Sequence, residues 1–316
     1  MQRLASIDIG SQTIRLLIAD CDGTTLYPRE RRREIVGLGS GLHADSLLRP
    51  DRIEQAAACI GRFCAHARAA GAGDVIAMAT ACVRLARNRQ AFIENVQQHS
   101  GILPSVIPEE REAQLSLTGV LAVVHPEDES AIIMDIGGGS TELSFLNGGI
   151  FQGSTSLPLG AIEPAERFMH TDPPADTELM AIRAWVDGVI GACPMLFEGP
   201  PKPVLPRILA TAGTATTLAA MDLELHDYQP ARINHHVLTV ATLDTLLRRM
   251  TCLPLKQRAR LTGLEPGRAR VIIPGTLILQ RMLQHFNADC CTVSDAGLLE
   301  GILIQHAGLK KIIEKT

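Results

Sequence analysis

Aromatic side chains are scarce in this chain: 3% of 316 residues, with one tryptophan and two tyrosines. A surface that binds single-stranded nucleic acid by stacking needs aromatic platforms, and few are available. An excess of positive charge is also missing. The formal net charge is −4, without the basic stripe of a nucleic-acid-binding protein. No apolar run reaches membrane-spanning length. The eight cysteines (Cys21, Cys59, Cys64, Cys82, Cys193, Cys252, Cys290 and Cys291) show no paired CxxC spacing, which argues against a zinc site. Met1–Asp8 runs straight into a strand-like segment with no secretory pattern, so free thiols in a reducing cytosol are the expectation. No partner in a membrane or a nucleic-acid polymer is expected.

What is present is an ordinary globular composition, 46% hydrophobic and 20% charged. With few aromatics, the core must come from Ala, Leu, Ile and Val. The length suits two domains. Leu4–Ile9 and Thr13–Asp20 read as a hairpin closed by a tight glycine turn. Helical spacing covers Asp51–Ala70, with Ile53, Ala57, Ile60 and Cys64 on one face. A buried strand follows at Asp74–Ala79, a helix at Asn88–His99, a strand at Gly101–Ile107 and a helix at Glu109–Val124. The polar stretch HPEDES, 125–130, fits a domain boundary.

Beyond it the opening pattern returns: strand Ala131–Ile136, loop Gly137–Ser140, strand Thr141–Leu146. A strand ending in Asp-Ile-Gly, a small-residue loop and a second strand therefore occur twice. The repeat implies duplicated α/β domains facing a shared cleft. Further helices are expected over Thr177–Leu196, after Arg207–Ala210 through Met221, over Thr242–Cys252 and over Ala269–Phe286, with a proline-rich loop at 199–206. After strand Cys290–Val293, Ser294-Asp295 reads as the cap of a last helix, Ala296–His306.

Three glycine-rich turns each follow a strand: Gly10–Thr13, Gly137–Thr141 and Ala212–Thr216. Glycine lets successive backbone N–H groups close on an anion, and Ser and Thr add donors. Aspartates, Asp8 and Asp135, precede the first two. Carboxylates beside a phosphate nest repel phosphate unless a cation such as Mg²⁺ sits between them. Plain hairpin turns are the competing reading, but two-residue hairpins need neither three glycines nor the aspartate. The run Arg29, Arg31, Arg32, Arg33 reads as a solvated loop or strand edge, with attraction of a polyanion as the sharper alternative. The adjacent His235 and His236 point apart in a strand and make no metal pair.

Two such loops with a third Ala-Gly-Thr loop resemble the actin/Hsp70/sugar-kinase superfamily. More narrowly, the chain resembles the exopolyphosphatase/guanosine pentaphosphate phosphohydrolase (Ppx/GppA) family. The resemblance rests on Asp8–Ser11, Ala79–Asn88 (ATACVRLARN), Glu110–Gly119 (EREAQLSLTG), Asp135–Glu142 (DIGGGSTE), Ser156–Phe168 (SLPLGAIEPAERF), Thr211–Leu218 and Val293–Gly301 (VSDAGLLEG), in the family's order. It implies an α/β fold of two actin-like, ribonuclease H-like domains, over about 1–124 and 125–304, with a C-terminal helix of about 305–316 joining the first.

It also implies Mg²⁺- or Mn²⁺-dependent release of orthophosphate from polyphosphate or guanosine pentaphosphate, and a homodimer. Glu112 falls at the family's catalytic carboxylate, where it would orient or deprotonate water; on its own it reads as a surface glutamate. Asp135 and Glu142 match an acidic pair, Asp135 beside the metal with Asp8 and Glu142 in support. Phosphate contacts fall to Gly10, Ser11, Gln12, Thr13, Arg84, Gly137, Gly138, Gly139, Ser140, Thr141, Gly213 and Thr214. The chain departs from the family at Gln12-Thr13, at Glu163 (usually arginine), at Arg270 (usually aspartate) and at Leu299 (usually arginine). These departures bear on substrate identity. They sustain two alternatives: a sensor of polyphosphate or guanosine tetraphosphate without turnover, and an ATPase or phosphotransferase of the same superfamily.

Overall fold

The computed structural model describes residues 1–124, 130–193, 207–309 and the backbone of 311–312. The expected boundary segment 125–129, the proline-rich loop 199–206 and the end of the helix expected to reach Leu196 lie outside these residues. The chain divides into two bodies, Met1–His125 with Ala296–Thr316, and Pro126–Asp295.

The first body is built on β1 (Gln2–Ile9), β2 (Thr13–Cys21), β3 (Thr25–Ile35), β4 (Asp74–Ala79), β5 (Ser105–Val106) and, from the far end of the chain, a strand at Lys311–Ile312. Its order is Lys311–Ile312, β3, β2, β1, β4, β5. β1, β2 and β3 run antiparallel, and β4 is parallel to β1. Strand alternation sorts β1. Ala5, Ile7 and Ile9 enter a core with Ala56, Ile60 and Cys64 of helix Pro50–Ala69. Leu4 faces the other way, toward Leu299 and Leu303 of helix Leu298–His306. Ser6 and Asp8 share the Leu4 side, and Ser6 Oγ donates to Leu299 O at 2.9 Å. On that side helices Glu109–Leu121 and Leu298–His306 cross at backbone contact. A Cβ on Gly301 would stand 1.8 Å from Leu115 O, and one on Gly119 1.9 Å from Gly297 O, so only glycine fits at either position.

The second body repeats the plan. β6 (Ala131–Ile136), β7 (Thr141–Asn147) and β8 (Ile150–Leu157) run antiparallel, and β9 (Arg207–Thr211) lies parallel to β6. β10 (Val237–Thr239) and β11 (Cys290–Val293) complete the order β10-β11-β9-β6-β7-β8. Numbered within each body, the first four strands of both take the order 3-2-1-4, followed next to the fourth by β5 in the first body and by β11 in the second; this is the ribonuclease H-like arrangement of an actin-like fold. Leu, Ile, Val and Ala dominate the second core, with Phe286 the one buried aromatic residue among those described.

Several expected elements differ. The stretch Gly101–Ile107 pairs only over Ser105–Val106, because Gly101 ends the preceding helix in a left-handed conformation and Pro104 offers no N–H. Ser294-Asp295 is not the cap of the last helix. The last helix starts after Gly297, whose N–H donates to Glu300 Oε2 at 2.7 Å, while Asp295 N donates to Asn234 Oδ1. In place of a helix over about 305–316, the last helix ends at His306 and Lys311–Ile312 (β12) pairs with Thr25–Leu26. The helix Leu298–His306 belongs wholly to the first body. No helix among the described residues is long and apolar enough to cross a membrane.

Candidate functional site

In the first body, β1 delivers Asp8 and then turns through Gly10–Thr13. Gly10 N closes the turn on Thr13 O at 3.1 Å. The loop carbonyls are held from behind: Gln12 O accepts from Val36 N and Gly37 N, and Ser11 O from Gly39 N. Gly39 is packed so closely that a Cβ there would lie 2.9 Å from Ser11 Cβ. Asp8 faces Arg15 across the hairpin register, and its Oδ2 accepts from Arg15 Nε at 2.8 Å and Nη2 at 2.6 Å.

Glu112 lies in the first turn of helix Glu109–Leu121, where three glutamates complement the positive end of the helix. It is 8% exposed, so it is no surface glutamate. Its Oε2 accepts from Arg84 Nη1 at 2.8 Å, and the same Nη1 donates to Ile107 O at 3.0 Å. Arg84 Nε is buried with no hydrogen-bond partner. Arg84 sits on the short helix Ala81–Leu85, one turn from its start. On that helix, Cys82 hydrogen-bonds Ser11 and lies within electrostatic reach of Glu112; burial pushes its thiol up to about 12, so it stays protonated. A run of contacts thus joins the first glycine loop, Cys82, Glu112 and Arg84 in one body.

The second body gives a matching construction. Gly137 N closes its loop on Ser140 O at 2.9 Å, while Gly137 O and Gly138 O accept from Ala161 N and Ile162 N. Here Gly160 takes the part of Gly39: a Cβ on it would stand 2.2 Å from Gly138 O. Thr141 Oγ1 donates to Leu159 O at 2.5 Å. With the loop carbonyls tied back, the N–H groups of Gly138, Gly139 and Ser140 have no acceptor among the described residues. Three consecutive amides of this kind form an anion nest. Register sets Ser156, Glu142, Asp135 and Thr211 side by side on four strands, and Ser156 Oγ donates to Glu142 Oε1 at 3.0 Å. Glu142 is buried and Asp135 half-buried. Carboxylates directly opposed on neighbouring strands repel unless a proton or cation is shared.

The third loop opens helix Ala212–Asp222, with Ala212 in the left-handed region at φ 64°. Gly213 lies under the guanidinium of Arg268: a Cβ there would be 2.1 Å from Nη1. Thr214 packs its side chain on Gly275, in helix Ile272–His285.

Sequence reasoning missed Arg15, Cys82, Ser156 and Arg268. Counting outward from the hairpin turn places Arg15 opposite Asp8, so that signal was readable. Arg268 carries no local signal. Of the departures, Glu163 pairs with Arg167 at 3.4 Å, Arg270 is exposed, and Leu299 is buried beside Leu4. The Arg29–Arg33 run lies on β3 and is drawn into ion pairs, Arg29 with Asp20, Arg31 with Glu300 and Arg32 with Glu30.

Duplicated ribonuclease H-like bodies, each carrying a glycine loop behind an Asp-ended strand, define an actin-like protein with phosphate-type loops. The model of the Ppx/GppA phosphatase family matches residues 17–309, and the chain belongs to that family. It is 30% identical to exopolyphosphatase 2 of Mycobacterium tuberculosis over 98% of this chain and 99% of the relative. The Aquifex aeolicus Ppx/GppA family member is 32% identical, with a TM-score of 0.77 over 96% of this chain and 97% of that one. An exopolyphosphatase from Cytophaga hutchinsonii superposes with a TM-score of 0.88 at 25% identity, over 98% and 99% of the two chains.

Proposed function

We propose that the protein hydrolyses terminal phosphoanhydride bonds, releasing orthophosphate from inorganic polyphosphate or guanosine pentaphosphate. The observation that carries this reading is the buried Glu112–Arg84 pair, tied through Cys82 and Ser11 to the first glycine loop. In the second body the N–H groups of Gly138, Gly139 and Ser140 bind phosphate oxygens, and in the first the loop Gly10–Thr13 does so, with the Arg84 guanidinium supplying positive charge. Glu112 receives a proton from water as its oxygen attacks the terminal phosphorus. The bond to the bridging oxygen breaks, and the shortened chain leaves with that electron pair. Such a reaction needs mainly positioning and charge stabilisation.

The donor set suits Mg²⁺ or Mn²⁺ held by one or two carboxylates, water and substrate. Among the described residues no group of three or more His, Cys, Asp or Glu could cage a metal ion. Asp135, with Glu142 opposite it, fits a cation better than Asp8, whose Oδ2 already binds Arg15. A bound cation would offset the charge of the phosphate groups.

The test is orthophosphate release with Mg²⁺, on long-chain polyphosphate and on guanosine pentaphosphate side by side. Glu112→Gln is expected to lower kcat by roughly 10²–10⁴-fold. Full activity in that variant removes Glu112 from the role of base.

A further inference from the structure

Arg258 is 1% exposed, the largest fully buried side chain in the described structure. Among the described residues no carboxylate lies within hydrogen-bonding distance; the nearest ion-pair partner, Asp172, stands 3.8 Å away and is itself half exposed. The guanidinium donates instead to three carbonyls: Nε to Met250 O at 2.9 Å, Nη2 to Leu253 O at 2.9 Å and Nη1 to Ala269 O at 3.0 Å. Two of these end the helix Val240–Thr251 and its following turn. The third immediately follows Arg268, the residue whose guanidinium lies on Gly213.

A buried charge without a partner charge is costly, and an apolar side chain of similar length often serves stability as well or better. The planar fork of arginine, however, reaches carbonyls from two segments in a fixed geometry. Arg268 N on Glu265 O, Ala269 N on Pro266 O and Arg268 Nε on Glu265 Oε2 shape the turn Pro266–Arg268 itself, whereas Arg258 Nη1 on Ala269 O ties it to the end of helix Val240–Thr251.

We propose that Arg258 is a positioning residue, which fixes the Arg268 turn to helix Val240–Thr251 and so holds the Arg268 guanidinium over the third glycine loop, at Gly213, for contact with an anionic substrate. The substrate part of this inference rests on the proposed phosphoanhydride hydrolysis; the positioning part does not.

The experiment compares the intact protein with Arg258→Lys, Arg258→Met, Arg268→Ala and the double variant Arg258→Lys/Arg268→Ala. First, labelling of Arg268 by p-hydroxyphenylglyoxal is followed by peptide mass spectrometry. The Lys variant, still folded by thermal melting, is expected to label about tenfold faster at Arg268. An unchanged rate overturns the positioning role whatever the catalytic outcome. Second, kinetics on polyphosphate are expected to show KM raised about tenfold in Arg258→Lys with kcat largely kept. The double variant should be no worse than Arg268→Ala alone. Effects that multiply in the double variant overturn the proposal. Arg258→Met tests the fork itself and should match or exceed the Lys variant; if it does not fold, the Lys variant carries both readouts. A wild-type protein that releases phosphate from neither substrate defeats the functional reading, while the labelling comparison still decides the positioning.

Discussion

Arg84 Nη1 bridges Glu112 Oε2 and Ile107 O, so one nitrogen sets the carboxylate and anchors the helix start at once. Lysine has a single ammonium and no fork. Arg84→Lys is therefore expected to raise KM for polyphosphate about tenfold, equivalent to about 1.4 kcal/mol, and to lower kcat as Glu112 loses its fixed orientation. Steady-state phosphate release at varied polyphosphate concentration separates the two effects. At this scale the sequence was legible where local chemistry is unusual. Asp8 and Asp135 stand out because an acid beside a glycine loop is odd without a cation. Glu112 was visible only through its resemblance to a family motif, since nothing in EREAQL says that its fourth helical residue is buried. Arg268 reaches Gly213 through packing between segments far apart in the chain, which no local pattern encodes.

Close approach of backbones governs the elements. Gly301→Ala would drive a methyl group into Leu115 O in the helix that carries Glu112. Overpacking of this kind should cost about 3 kcal/mol and reduce activity together with stability, as read by urea unfolding and phosphate release. Helix Asp176–Gly191 offers a pH test. Glu178 is partly desolvated, which raises its pKa, but hydrogen bonds from Thr171 Oγ1 and from the backbone of His170, Ala175 and Thr171 outweigh this and bring it down to about 2. A depressed carboxylate stabilises fully above its unfolded value near 4.5 and loses that stability as pH falls toward 2. Glu178→Gln should cost about 1 kcal/mol at pH 7, after allowance for its solvent exposure. The gap to wild type should shrink progressively below about pH 4.5. Urea titrations across this range check the sign.

Elements with period-2 apolar patterns, such as β1 and β6, were readable. β3 was not recognised as a full strand, because TLYPRERRREI lacks apolar alternation; its ladder with β2 holds it, and its charged side chains form pairs such as Arg62–Glu34 and Arg29–Asp20. β8 escaped notice because Gly153, at φ 150°, and exposed Ile150 and Phe151 break the pattern. The glycines behind the loops, Gly39 and Gly160, went unnoticed as a pair because their partner atoms lie on another strand connection.

On the scale of the molecule, duplication was legible in the repeated Asp-Ile-Gly, and the structure extends it to the third strand and its following glycine. The first body is discontinuous: its sheet and Glu112 helix come from the start of the chain, and Leu298–His306 arrives after the second body is complete. A chain ending at Asp295 removes Leu298, Leu299, Ile302 and Leu303 from the cores around Leu4, Leu17, Ile107 and Leu115. Limited proteolysis of that truncation should digest the first body while sparing the second. Equal protection of both bodies would contradict this account.

The glycine crossing of Glu109–Leu121 with Leu298–His306 also bears on birth at the ribosome. As the chain emerges, the helix bearing Glu112 is made early yet has no partner to cross until Leu298–His306 has followed the whole second body. Throughout that interval its apolar side, with Leu115 and Val120, waits uncovered beside the sheet. The second body, whose strands are consecutive in synthesis, is free to fold first. Seating of the candidate catalytic glutamate thus waits on synthesis of the entire second body, and a chain stalled or released before Leu298 carries an unseated Glu112.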